Sequence, residues 1–199
     1  MKKLLIGILI IVLLYAMGGL IYFFIHKKTP LPEEKPIADI KGYPYHLKAN
    51  ATELMKNEFH LLKDNLEGKE IDDEAYAESV AKLFIIDLYT ITNKLNKYDV
   101  GGVQYVVPAI LDNFKLNVKD TIYKYVEDNS DDKRVQTLPE VSQINTTSIE
   151  AAEYTIDENT YQGYKISLEW SYVKDLGYDE TGELRVVKID QYYYVAEKK

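Results

Sequence analysis

YKISLEWSY, residues 164–172, sets Tyr164, Ile166, Leu168, Trp170 and Tyr172 in alternation with Lys165, Ser167, Glu169 and Ser171. A period of two belongs to a β-strand, whose successive side chains point to opposite faces, so this stretch predicts a strand with one buried and one wet face. The change from a helical period to this one comes at about Pro139. Turn residues at Asp157 to Asn159 and Asp179 to Gly182 break the C-terminal part into segments. The spacing predicts strands near 140–148, 149–156, 161–174 and 184–196, joined as an antiparallel meander.

Upstream, the 3.6-residue period predicts three helices. The first spans about 51–67, opened by Asn50 with Glu53 three residues on and closed by Gly68, with Met55, Phe59, Leu62 and Leu66 on one face. The second spans about 73–95, with acidic residues in its first turn and Ala77, Val80, Ala81, Phe84, Ile85 and Leu88 on its apolar face. The third begins near Pro108, and Leu111, Phe114, Val118, Ile122 and Tyr125 make its apolar stripe. Between the second and third lies KYDVGGVQYVVP, residues 97–108. Its glycine pair lacks the spacing of a phosphate loop and no strand precedes it, so it reads as a bend where the backbone needs positive φ or close approach.

Before the helices come two further segments. Residues 4–25, LLIGILIIVLLYAMGGLIYFFI, carry no charge, and at about 1.5 Å per residue they reach across a bilayer core of roughly 30 Å. Residues 1–28 are therefore expected to be a transmembrane anchor with Tyr22, Phe23 and Phe24 as an interfacial belt. A cleaved signal peptide ending at Ala16-Met17-Gly18 is the competing reading, but the apolar run continues seven residues past that point. Two lysines flank each end, and the short basic N-terminus favours a signal anchor with its N-terminus cytoplasmic and the long C-terminal part extracytoplasmic. Residues 29–44 hold four of the six prolines and read as a semi-rigid spacer, leaving 45–199 as the folded domain.

From residue 29 onward 20 basic residues face 32 acidic ones, a net charge of −12. So acidic a domain repels phosphate backbones, which argues against nucleic acid as a partner. With no cysteine there is no disulfide, no thiolate metal site and no thiol nucleophile. The three histidines, His26, His46 and His60, form no metal or triad pattern. An EF-hand register starting at Asp128 in EDNSDDKR puts Lys133 where glycine is required and Pro139 where the bidentate glutamate belongs. No metal or cofactor is expected.

Two features remain. Asp87 falls on the stripe 80, 84, 87, 91, at the margin of the second helix's apolar face, where an unpaired carboxylate would have the raised pKa of a general base. It could equally face outward or bond a lysine or tyrosine. Tyrosine occurs 18 times, and strand alternation places Tyr192 and Tyr194 opposite Tyr193, so at least one of the three faces water or a partner. Strand propensity alone would also account for that richness.

The expected architecture is α+β: an N-terminal transmembrane helix, then about three helices packed on a four-stranded antiparallel curved sheet. That order, with a tyrosine- and tryptophan-rich final sheet, resembles the cystatin-like, nuclear-transport-factor-2-like fold, and in particular the membrane-anchored scaffold subunits of type IV secretion and conjugation machines. The resemblance rests on the order of elements over residues 45–199 and carries no functional residue. It implies a non-enzymatic scaffold domain that assembles with other envelope proteins of a bacterium, with homo-oligomerisation open and Tyr192 and Tyr194 as interaction residues. The alternative is a pocket module of the same fold that binds a small apolar ligand, or performs isomerase-like chemistry, with Asp87, Trp170 and Tyr172 lining the cavity.

Overall fold

The computed structural model describes residue 19 and residues 36–199 other than 157. The anchor expected over 4–25 thus lies outside the described residues except at Gly19, as does the spacer up to residue 35. No helix among the described residues is long and apolar enough to cross a membrane. Residues 34–199 form a unit of their own.

Strand formation begins inside the stretch read as spacer. β1, Pro36–Asp39, pairs antiparallel with β2, His46–Lys48, through a turn that Gly42 completes at φ +84°. Helix α1, Glu53–Leu66, starts two residues later than a cap at Asn50 would place it. Thr52 is the N-cap, accepting a hydrogen bond from the Met55 N–H at 3.3 Å. Asn50 instead clips two loops together, donating to the Asn93 carbonyl and accepting at its own carbonyl from the Asn93 amide. Met55, Phe59, Leu62 and Leu66 are buried, as their spacing requires.

Helix α2, Asp73–Tyr89, is capped by Asp72, which accepts from the Glu74 and Ala75 N–H groups at 3.0 Å each. It is not amphipathic but buried nearly all round from Tyr76 onward, because it lies between α1 and the sheet. It also ends six residues before the expected Leu95. The Ile91 N–H leaves the helical ladder for the Pro139 carbonyl at 2.8 Å, and the Thr90 hydroxyl accepts from the Val141 N–H. The third helix is shorter than its stripe implied. After 3₁₀ turns at Val103–Tyr105 and Pro108–Ile110, α3 runs only from Leu111 to Asp120. The chain leaves the helix at Thr121 (φ −119°, ψ −92°), which turns Tyr123 and Val126 inward and leaves Tyr125 76% exposed.

The sheet has the expected strand number and antiparallel order with different boundaries. β3, Val141–Ile156, is one strand where two were expected, and it pairs along its length with β4, Asn159–Tyr172. The expected strand at 184–196 is two: β5, Thr181–Ile189, and β6, Tyr192–Lys198, hinged at Asp190 with φ +55°. The order is β3-β4-β5-β6, all antiparallel. Ile166, Leu168, Trp170 and Tyr172 are buried and Tyr164 half-buried, so the alternation that predicted β4 is realised face for face. A parallel bridge from Val106 to Val195, with the Val107 N–H on the Val195 carbonyl, covers part of the outer side of β6.

Candidate functional site

Asp87 was the one acid that spacing placed near the core, and it is fully inside, 6% exposed. Its Oδ1 accepts from the Lys94 Nζ at 2.5 Å and its Oδ2 from the Gly102 N–H at 2.7 Å. Lys94 is 2% exposed, carried back over α2 by the turn that follows Thr90. The glycine pair makes this possible. A Cβ on Gly101 would sit 1.9 Å from the Asp87 carbonyl oxygen, and Gly102 has φ +77° with the Phe84 ring against it. Tyr123 completes the clamp, donating to the Leu88 carbonyl at 2.7 Å and accepting from the Gly101 N–H.

Burial alone would push the Asp87 carboxyl up, but the Lys94 charge and hydrogen bond together with the Gly102 N–H outweigh it, so the group is held below the usual carboxylate value. The raised pKa expected of an unpaired acid is therefore not what this position has. Both oxygens are engaged, and what the arrangement does chemically is fasten the 94–102 loop to α2. The bend expected at KYDVGGVQYVVP is the other half of that fastening.

Trp170 and Tyr172 lie elsewhere. The Trp170 Nε1 donates to the Tyr172 hydroxyl at 2.8 Å, which donates on to the Asp179 carbonyl at 2.6 Å. Tyr89 lies beside Trp170, its ring tilted by 33° with the centroid 5.3 Å away, and its hydroxyl donates to Asp179 Oδ2. Asp87 and Tyr89 are two residues apart on one helix, about 200° around its axis, so one faces the glycine loop and the other the sheet. The three residues grouped as pocket candidates do not converge on one cavity.

Two adjoining grooves flank β6 instead, sharing Ile110, Ala196 and Glu197. One, of 510 Å³, has Val107, Tyr154, Ile156 and Arg185 in its walls. The other, of 420 Å³, runs between α3 and β6 over Phe84, Leu88, Phe114 and Val195. Asp87, Trp170, Tyr172, Tyr192 and Tyr194 line neither. Of the charges at their rims, Arg185 pairs with Glu197 at 2.7 Å and Lys198 with Asp179 at 3.1 Å, while Glu153 accepts from the Gln162 amide.

Seven of the 16 described tyrosines are buried. Tyr45 and Tyr76 hydrogen-bond through their hydroxyls at 2.7 Å, and the Tyr45 hydroxyl also meets the Tyr193 carbonyl at 2.7 Å. Tyr193 is buried edge-on to Tyr76. Burial holds the Tyr45, Tyr76 and Tyr193 hydroxyls far above their ordinary pKa, so they stay neutral donors. Tyr192 and Tyr194 are half-buried on the other face, as alternation requires. Tyr192 is partly committed within the chain, donating to the Gly42 carbonyl at 3.2 Å and meeting the Tyr43 ring edge-on.

The acidic loop is held by a cation of its own chain. Arg134 donates to the carbonyls of Thr92, Lys94 and Glu127, and no group of acids and histidines fit to hold a metal ion occurs among the described residues. Sequence reasoning missed the outer side of β3. This strand is 16 residues long and lies at the edge of the sheet. The absence of lysine, arginine and proline from VSQINTTSIEAAEYTI was the available signal. Comparison with protein-family models, with curated proteins and with solved structures finds no match to this chain.

Proposed function

We propose that the chain is a single-pass membrane protein with a cytoplasmic N-terminus, whose extracytoplasmic domain is a non-enzymatic scaffold that assembles with other proteins of a bacterial envelope machine of the secretion or conjugation type. The observation that carries this reading is the uncovered edge of β3, a surface suited to pairing with another chain. It is supported by the charge-free run at 4–25, and by an order of three helices then a four-stranded meander, which is the order that the cystatin-like resemblance implies. The locking of Asp87 by Lys94 and Gly102 removes the acid on which a catalytic reading would rest.

The test is cross-linking of the full-length chain in intact cells, with identification of what is captured. Specific capture of envelope subunits supports the scaffold. Capture of the chain alone removes it. A second reading has one observation in its favour: the adjoining grooves of 510 and 420 Å³ have the size of small-molecule sites. It would be a module for a small apolar ligand, served by Phe84, Phe114 and Val195 rather than by Asp87, Trp170 and Tyr172. Saturable quenching of Trp170 emission by such a ligand, relieved in Phe114→Ala, would favour it.

A further inference from the structure

The geometry points to the outer edge of β3 from Ser148 to Ile156 as a docking edge that takes an extended, lysine- or arginine-bearing strand of a partner protein as a fifth strand of the sheet. This deepens the scaffold reading and rests on it.

The edge is open in hydrogen-bonding terms. β4 pairs with one side of β3 as far as Ile156↔Asn159, and the last contact on the other side is the Val141 N–H bond to Thr90. Beyond it, among the described residues, only β4 bonds the β3 backbone. In an antiparallel strand every second residue turns its N–H and C=O away from its partner. Ser148 to Ile156 therefore presents about four such residues, close to the length of an ordinary strand pairing. The register shift between Thr146 and Ser148 lies before this stretch, and no irregularity follows it.

The edge is also accessible. Glu150, Ala151, Glu153 and Thr155 are exposed. Natural edges of this length are commonly blunted by charged side chains, proline or a bulge; from Ser148 to Ile156 there is no lysine, proline or bulge, and the charges are the carboxylates of Glu150 and Glu153.

Charge selects the occupant. Residues 148–163 carry Glu150, Glu153, Asp157 and Glu158 and no base. Glu150 pairs with Lys165 and Glu153 bonds Gln162, both on β4, so the carboxylates stand beside the edge in fixed positions. A second copy would bring Glu150 and Glu153 alongside, in a domain whose net charge is already −12 from residue 29, and like charges across a strand pair oppose pairing. Glu150 and Glu153 are an odd number of residues apart and stand on opposite faces of the strand, so a partner strand with a base on each face is complementary both to the backbone and to these acids.

The experiment uses the full-length chain and two probes. One is a ten-residue capped peptide of alternating lysine pairs and valine pairs, which puts lysines on both faces of an extended strand, and the other is the same peptide with every backbone nitrogen methylated, which keeps the charge and removes the donors. The expected result is binding of the first at least tenfold tighter than the second, with amide hydrogen exchange slowed at least tenfold at alternate residues of 148–156. Ala151→Lys, which adds a positive charge to the edge without removing a contact, should weaken that binding about tenfold, and so should E150K/E153K.

Equal binding of the two peptides, or protection away from 148–156, overturns the proposal in favour of loose electrostatic attraction. Concentration-dependent protection of 148–156 in the chain alone also overturns it, by making a second copy the occupant. If the peptides fail while cross-linking in cells still captures envelope subunits, the edge falls and the scaffold stands. If both fail, both fall.

Discussion

Replacing Asp87 by asparagine should destabilise the folded chain by about 3–5 kcal/mol, the usual cost of removing one partner from a buried ion pair. Asparagine is nearly isosteric, so no cavity is created, but with its amide oxygen on the Gly102 N–H its NH2 group faces the Lys94 ammonium, donor against donor. What is lost is the charge facing Lys94, which at 2% exposure has no access to water. For a domain of this size that corresponds to roughly 6–20 °C in Tm, read by circular dichroism against temperature and urea. Adding Lys94→Met should recover much of the loss, because the orphaned ammonium is then absent, with a coupling energy of about 2–3 kcal/mol between the two changes.

The pH dependence supplies a separate check. The folded-state pKa of Asp87 is depressed, its own burial being outweighed by Lys94 and the Gly102 N–H. A depressed pKa contributes stability that is fully present above the unfolded-state value of about 4 and is lost as pH falls through the folded-state value. The gap between the parent and Asp87→Asn should hold constant from pH 7 to 5 and close below pH 4. A gap under 1 kcal/mol at pH 7, or one that persists unchanged to pH 2, would refute the assignment of the pair as the fastening of the 94–102 loop.

Tyr45→Phe removes the hydroxyl shared by Tyr76 and the Tyr193 carbonyl and should cost about 1–3 kcal/mol in urea denaturation, whereas Tyr125→Phe, at an exposed ring, should leave the midpoint in place. Gly102→Ala forces a side chain into positive φ against Phe84 and should cost roughly 2 kcal/mol, while Gly101→Ala, with its Cβ 1.9 Å from the Asp87 carbonyl oxygen, should cost more; a melt in which the two are equal would contradict that ordering. Because the chain has no cysteine, Val135→Cys at a 94% exposed position gives a clean topology probe: a membrane-impermeant maleimide added to intact cells should label it, and labelling only after lysis would reverse the proposed orientation.

The parts of the fold that sequence made legible are those set by contacts within a few residues. The β4 alternation and the α1 stripe are local periodicities, and both are realised. The parts that were not legible are set at a distance. Nothing near Tyr89 announces the end of α2, because the group that draws the Ile91 N–H out of the ladder is the Pro139 carbonyl, 48 residues on. β3 read as two strands because its register shifts between Thr146 and Ser148, and a one-residue shift inverts the phase of an alternation. The hinge at Asp190 was hidden because a left-handed residue was supplied by aspartate rather than by glycine. Asp87 was legible as a residue near the core, but its partner was not. Lys94 fell inside the expected helix seven residues away, on nearly the same face but about 10 Å further along the axis, and only the early end of α2 brings it back.

Internal hydrogen bonding separates several tyrosines from the β3 edge as candidate surfaces. A tyrosine-rich sheet suggests an interface because each ring offers area and a polar tip, yet here several of those tips are bonded within the chain: Tyr45 to Tyr76 and to the Tyr193 carbonyl, Tyr76 also to the Tyr193 N–H, Tyr192 to Gly42, and Tyr89 and Tyr172 to Asp179. They help fix the β1–β2 hairpin and α2 onto β6, beside the buried Ile40 and Leu47 and the hydrogen bonds between the His46 backbone and Gln104. A ring already holding an internal hydrogen bond must break it to serve a partner, whereas the backbone groups along the outer side of β3 give up only water. On that ground Tyr192→Ser should lower stability more than it lowers capture, and the balance should reverse for Ala151→Lys.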